Sequence, residues 1–163
     1  MDISIRAARN DDAGFLAAGN SAMALESEHK RLDPATVTRG VRAVLDDPAK
    51  GRYFIAERGG RPIGQLMVTY EWSDWRNGNF WWIQSVYVLP DARRMGVFRS
   101  LYAHLEQLAK ADATVCGIRL YVERENERAQ ATYRHCGLED AGYVVMEVDY
   151  SGAVQSARGN ENA

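Results

Sequence analysis

Cysteine is scarce in this chain. Cys116 and Cys136 are the only two among 163 residues, and neither sits in a C-x-x-C pair. That spacing offers neither a disulfide framework nor a thiolate zinc site. The two cysteines read as buried structural residues. The three histidines (His29, His104 and His135) are scattered, so no metal site is expected. His135 and Cys136 are adjacent, but on a helix adjacent residues point in different directions. Lysine is also rare: only Lys30, Lys50 and Lys110, against seventeen arginines. Arginine suits bidentate recognition of phosphate or carboxylate, although GC-rich coding gives the same skew. The net charge of −2 is too balanced for a protein that lives on nucleic acid. No charged-then-apolar leader follows Met1, and no apolar run reaches about eighteen residues. A cytoplasmic protein without membrane contact is expected.

What is present is a core. With 46% hydrophobic residues, residues 1–150 are predicted to form one domain. The stretch that organises it is Ser85–Leu101. An alternating strand (Ser85 to Leu89) runs into Pro90, then a basic turn with Gly96. A helix follows, with Val97, Leu101, Leu105 and Leu108 at helical spacing. This order puts free backbone N–H groups at a helix N-terminus, where an anion can sit. Arg93, Arg94 and Arg99 bracket the point. The same arrangement also occurs as a solvated turn, and a single glycine is a weak motif.

Around this stretch the order reads β-α-α-β-β-β-α-β-α-β. Ile3–Ala7 is the first strand. Asn10 or Asp11 caps a first helix, and Asp33-Pro34 restarts a second. Tyr53–Glu57 and Pro62–Trp72 form a hairpin about Gly59-Gly60. Phe80–Leu89, Gly117–Glu123 and Tyr143–Asp149 are the remaining strands, and Glu125–His135 the last helix. Residues 151–163 are small and polar and are expected to be disordered. The fold class is mixed α/β, and the absent G-x-G-x-x-G argues against a dinucleotide-binding fold.

Three features resemble the GCN5-related N-acetyltransferase superfamily over about residues 3 to 150. Arg93-Arg94-Met95-Gly96-Val97-Phe98 is similar to its Q/R-x-x-G-x-G/A turn after a V-x-V-x-P strand. Asn126, Ala129, Tyr133 and Gly137-Leu138 are similar to its N-x-x-A-x-x-x-Y-x-x-x-G-F element. The element order is the third. Phe98 departs from the usual Gly or Ala, so its side chain must point away from the pyrophosphate. The resemblance implies a central, mostly antiparallel sheet of about six to seven strands with about four helices. It implies acetyl transfer from acetyl-CoA to a primary amine of a small molecule or peptide. The cofactor-binding residues would be Val86, Tyr87 and Val88 for the pantetheine arm, with Arg93, Arg94, Met95, Gly96, Val97, Phe98 and Arg99 for the pyrophosphate. Asn126 would also hold the arm. Tyr133 would protonate the leaving thiolate as general acid.

The acceptor amine has to be deprotonated, so carboxylates are sought on the acceptor side. Glu26 and Glu71 are the candidates for base or amine steering, with Glu28 and Glu123 behind them. Residues 71–82 hold all four tryptophans. Trp72, Asp74 and Trp75, with Gln84 and Tyr121, are the candidate substrate contacts, since aromatic faces beside carboxylates suit a cation. The same tryptophans also suit cross-strand pairs or a homodimer contact. Two other readings stand beside the enzyme: a non-catalytic acyl-CoA-binding or sensor module of the same fold, and an oligomeric interaction protein.

Overall fold

The computed structural model describes residues 2–152 and the backbone of 154–156. Strands β1 (Ile3–Ala7), β3 (Arg52–Arg58), β4 (Arg61–Ser73), β5 (Gly78–Val88) and β6 (Val115–Leu120) make one sheet, in the order β1-β3-β4-β5-β6. Every pair is antiparallel except β5–β6, which is parallel. Helix α3 (Val97–Ala111) covers one face. Its buried Val97, Leu101 and Leu105 meet Phe54, Leu66, Val68, Trp81 and Ile83 from the strands. Helices α1 (Ala13–Glu28) and α2 (Pro34–Asp46) cover the other face over Leu16, Val41, Tyr53 and Ile55. Each fully buried leucine contributes about 2 kcal/mol of transfer free energy.

The helix starts follow local chemistry. Asp33 accepts the Thr36 N–H at 2.8 Å and Pro34 fills the first helical position, as the Asp-Pro pair predicts. Ahead of α1 a short 3-10 turn spans Asn10–Asp12. The acid that matters there is Asp12, not Asn10 or Asp11. Its carboxylate accepts two bonds from the Arg6 guanidinium, at 2.7 and 2.9 Å, and the Arg9 N–H at 2.7 Å. The Arg6 hydrogen bonds outweigh burial and hold the Asp12 carboxyl below the usual range.

Two expectations need correction. The main sheet has five strands rather than six or seven; a separate antiparallel ribbon pairs β2 (Lys30–Leu32) with β7 (Val154–Ser156). The expected tail thus contains a paired strand, while residues 157–163 lie outside the described residues. The alternating Tyr143–Asp149 stretch forms no strand, and its Tyr143, Val145 and Met146 are exposed. Lys30 attracts Glu147 and Asp149, and β7 beyond them pairs with β2. The chain here runs on to β2's ribbon, and its alternation has no neighbouring strand of the main sheet to pair with.

Strand β5 carries two features that make a site. Its pairing with β6 stops at Ile83–Leu120, so the strands part before Val86–Val88. Its register with β4 jumps between Gln65–Tyr87 and Met67–Gln84, which inserts one extra residue at a bulge. Ser85 there adopts φ of +51°. The inserted residue changes which side chains face which layer. Trp81 and Ile83 before the bulge and Val86 and Val88 after it all face the α3 core, which turns Tyr87 toward α1. Gly64 on β4 lets α3 settle close to the sheet, because a Cβ there would stand 2.8 Å from Val97 Cγ1 and 3.2 Å from the Tyr87 carbonyl oxygen.

Candidate functional site

A cleft of about 610 Å³ opens where β5 and β6 separate. Its walls are Met23, Glu26 and Ser27 from α1, Val86–Val88 from β5, and Phe98 from α3. The opposite wall comes from Glu123, Glu125 and Asn126 and from α4 (Glu127–His135), through Ala129, Thr132 and Tyr133. Asn126 and Tyr133 thus line the same opening as Val86–Val88, across from them.

The N-terminus of α3 lies at the mouth. Its first residue follows Gly96 at φ +79°, and no side chain caps it. Arg94 is also left-handed, at φ +67°. Such a turn leaves first-turn N–H groups and the positive end of the helix dipole available to an anion. The other site helix is different. Asn126 caps α4 with its own Oδ1, which accepts the Ala129 N–H at 3.0 Å.

Phe98 occupies the position where the sequence departs from the usual small residue. Its ring packs edge-on to Tyr133 at 5.1 Å and lies 6.1 Å from Tyr102. The side chain fills the α3–α4 interface and supports Tyr133. Burial, with Cys136 nearby, pushes the Tyr133 hydroxyl above its ordinary value. Tyr133 therefore keeps its proton at neutral pH.

Glu26 is tied into the cleft wall. Its carboxylate accepts Tyr87 Oη at 2.9 Å and Arg93 Nη2 at 2.6 Å. Partial burial opposes its charge, but the bonds from Arg93 and Tyr87 prevail and hold the carboxyl below the usual range. Arg93 also donates Nε to the Val88 carbonyl at 3.1 Å, so it bridges α1, β5 and the turn.

The remaining candidates gather elsewhere. Glu71 accepts Trp82 Nε1 at 2.9 Å and Arg119 Nη1 at 2.8 Å. Tyr121 stacks on Trp82 at 4.3 Å. Gln84 donates to Thr69 Oγ1 at 2.6 Å. Trp82 and Gln84 alternate with Trp81 and Ile83 and so face the α1 side of the sheet. Trp72 and Trp75 are exposed, and Asp74 accepts the Trp75 N–H in the loop. None of Glu71, Trp72, Asp74, Trp75, Gln84 and Tyr121 lines the cleft. Met23, Ser27, Arg128 and Thr132 do, and no motif marked them. Their signal was only helical phase: Met23, Glu26 and Ser27 share one face of α1. Among the described residues no group of three or more His, Cys, Asp or Glu side chains could hold a metal. No helix among them is long and apolar enough to cross a membrane.

The acetyltransferase (GNAT) family profile matches residues 22–138, which contain the parted strands, the uncapped α3 start and the Asn126–Tyr133 wall. The chain belongs to this family. A possible acetyltransferase from Clostridium difficile 630 is similar at 44% identity, over 90% of this chain and 97% of that one, with a TM-score of 0.84. A ribosomal-protein-alanine N-acetyltransferase from Brucella melitensis biovar Abortus 2308 is 17% identical, over 91% and 100%, at a TM-score of 0.71. An aminoglycoside N-acetyltransferase in complex with CoA is 16% identical, over 91% and 95%, also at 0.71. At the two lower identities the likeness is one of fold. No match was found among curated proteins. This GNAT chain thus keeps the family's fold.

Proposed function

We propose that this GNAT protein is an acetyl-CoA-dependent N-acetyltransferase acting on a primary amine of a small molecule or peptide in the cytoplasm. Residues 1–150 act as one catalytic domain. The observation that carries this reading is the open half of β5. Val86–Val88 leaves β6, faces Asn126 and Tyr133, and leads into the uncapped, arginine-flanked start of α3. The residues fit the cosubstrate. Phe98 lines the cleft while its ring packs edge-on against Tyr133, and Gly96 and the left-handed Arg94 shape the turn for an anion.

Acetyl-CoA brings the electrophilic thioester carbonyl. The chain's own groups bind and orient it. The backbone of Val86, Tyr87 and Val88, with Asn126, would hold the pantetheine arm. The N–H groups around Met95, Gly96, Val97 and Phe98 would receive the pyrophosphate, with Arg93, Arg94 and Arg99 balancing its charge. A backbone N–H near Val86 would stabilise the developing oxyanion. The protonated Tyr133 hydroxyl would supply the proton to the departing thiolate.

Glu26 remains charged below neutral pH, so its role is to steer the cationic amine and to hold Arg93. The amine gives up its first proton to water in the open cleft before it attacks, and the second, lost as the tetrahedral intermediate collapses, restores the proton that Tyr133 gives to the thiolate. Glu123 and Glu125 add carboxylates to the same wall. The α1-side surface of Trp82, Gln84, Tyr121 and Glu71, with Trp72, Asp74 and Trp75 at its rim, would guide the acceptor.

The test joins binding to turnover. CoA should raise the melting temperature, and thiol release from acetyl-CoA should be seen with at least one member of an amine panel. A thermal shift without turnover on any amine would leave the sensor reading. No shift at all would remove both.

A further inference from the structure

Beneath the Ser85 bulge lies a ring of polar side chains that the proposed chemistry leaves unused. Gln65 on β4 is fully buried. Its Nε2 donates to Asn20 Oδ1 at 2.8 Å and to the Leu16 and Ser85 carbonyls, each at 3.3 Å. Asn20 Nδ2 donates to Tyr53 Oη at 3.0 Å. The Ser85 side chain is the next polar neighbour of the Tyr53 hydroxyl. Helix α1 and the three central strands β3, β4 and β5 thus converge on one residue of β5.

A buried amide is costly unless its bonds are made. Gln65 carries that cost, and its Oε1 has no hydrogen-bond partner among the described residues. The helix makes room for it. A Cβ at Gly19 would stand 2.3 Å from Gln65 Oε1. A leucine would fill this place without an unpaired polar atom, so packing alone does not account for the residue. The bonds to Ser85 do. A non-glycine residue at positive φ is strained and persists only where its surroundings over-determine it. Gln65 holds Ser85 by its carbonyl, and Tyr53 holds Asn20, the partner that orients Gln65.

The bulge decides the facing of everything after it. It turns Val86 and Val88 toward the α3 side and sends Tyr87 to Glu26. We propose that Gln65, with Asn20 and Tyr53, is a positioning residue for acyl transfer. The ring locks the Ser85 bulge and so fixes the register at which Val86–Val88 meets the cleft. The inference rests on the acetyltransferase reading for its effect on rate, but its structural half stands apart.

Two variants test it. Gln65→Met removes the donor at similar volume, and Tyr53→Phe removes one oxygen. Each is compared with wild type by backbone amide NMR and hydrogen exchange, by CoA titration, and by steady-state kinetics. Gln65→Met should shift and deprotect the Ser85–Val88 amides while those of Val68 and Ile83 stay put. It should lower kcat by about 10²-fold, with the Kd for CoA within about 2-fold, because misplacing the reacting centre costs rate while the cradle at α3 is untouched. Tyr53→Phe should do the same more weakly, and the double variant should resemble Gln65→Met rather than the sum. If Gln65→Met does not fold, Tyr53→Phe gives the same readouts alone. Unmoved Ser85–Val88 amides, or unchanged kcat at lowered stability, overturns the proposal. If the wild type transfers no acetyl group, the acetyltransferase reading has failed, and the amide data still decide whether the ring holds the bulge.

Discussion

The two halves of β5 are one continuous strand with opposite uses. From Asn79 to Ile83 it is paired on both edges, by β4 and β6, and Trp81 and Ile83 are buried beneath α3. From Ser85 to Val88 it is paired on one edge only, passes a bulge, and lines the cleft. The first half is built from satisfied backbone and apolar side chains. The second leaves an edge free for another molecule to meet. A single displaced residue, at Ser85, separates stability from chemistry along one strand.

Substitutions should keep these uses apart. The largest effect is expected in the packed half. Ile83→Ala should lower unfolding free energy by about 3 kcal/mol through the lost transfer term and the cavity. The CoA-induced rise in melting temperature should survive, and its loss would mean that the halves are coupled. Next comes Tyr133→Phe, which removes the proton donor and leaves the ring. We expect about 100-fold lower kcat, or about 2.7 kcal/mol, at unchanged CoA affinity. Unchanged kcat would take Tyr133 out of the mechanism.

Acid should also act on the packed part of the molecule. The Asp12 carboxyl titrates lower in the folded chain than in the unfolded one. Its stabilisation is complete above the unfolded value, near pH 4, and is lost as pH falls through the folded value. Asp12→Asn should cost about 2 kcal/mol at pH 7 and flatten the acid limb of a melting-temperature profile. The smallest effect is expected at the cleft's rim. Arg93→Ala should weaken CoA binding about 5-fold by calorimetry and release Glu26 toward the ordinary carboxylate range. A fall in stability as large as that of Ile83→Ala would place Arg93 with the packed half.

The elements around the cleft were legible because their chemistry is local. Asp33-Pro34 declares a helix start without help from the rest of the chain. The Val97–Leu108 spacing likewise declares the buried side of α3. Asn126 and Tyr133 carried a motif and stand across the cleft from Val86–Val88. What was not legible depends on partners distant in sequence. Tyr143–Asp149 alternates like a strand, yet alternation states a pattern and not a neighbour, and its following residues pair with β2 instead. Glu26 looked like a free carboxylate until the fold brought Arg93, sixty-seven residues away, within 2.6 Å. Gln65 looked like one polar residue in a strand, and only the approach of Asn20 and Ser85 gives it a role.

Gly64 lies behind the cleft and lines none of it, yet it works as a spacer whose thickness is zero. Any side chain there would have to displace Val97, the first residue of α3, or press on the Tyr87 carbonyl. The gap between the helix start and the open half of β5 is therefore set from underneath. Selection could retune the fit of a bound anion by widening or narrowing this hidden seam, while every residue in view of the ligand stayed the same.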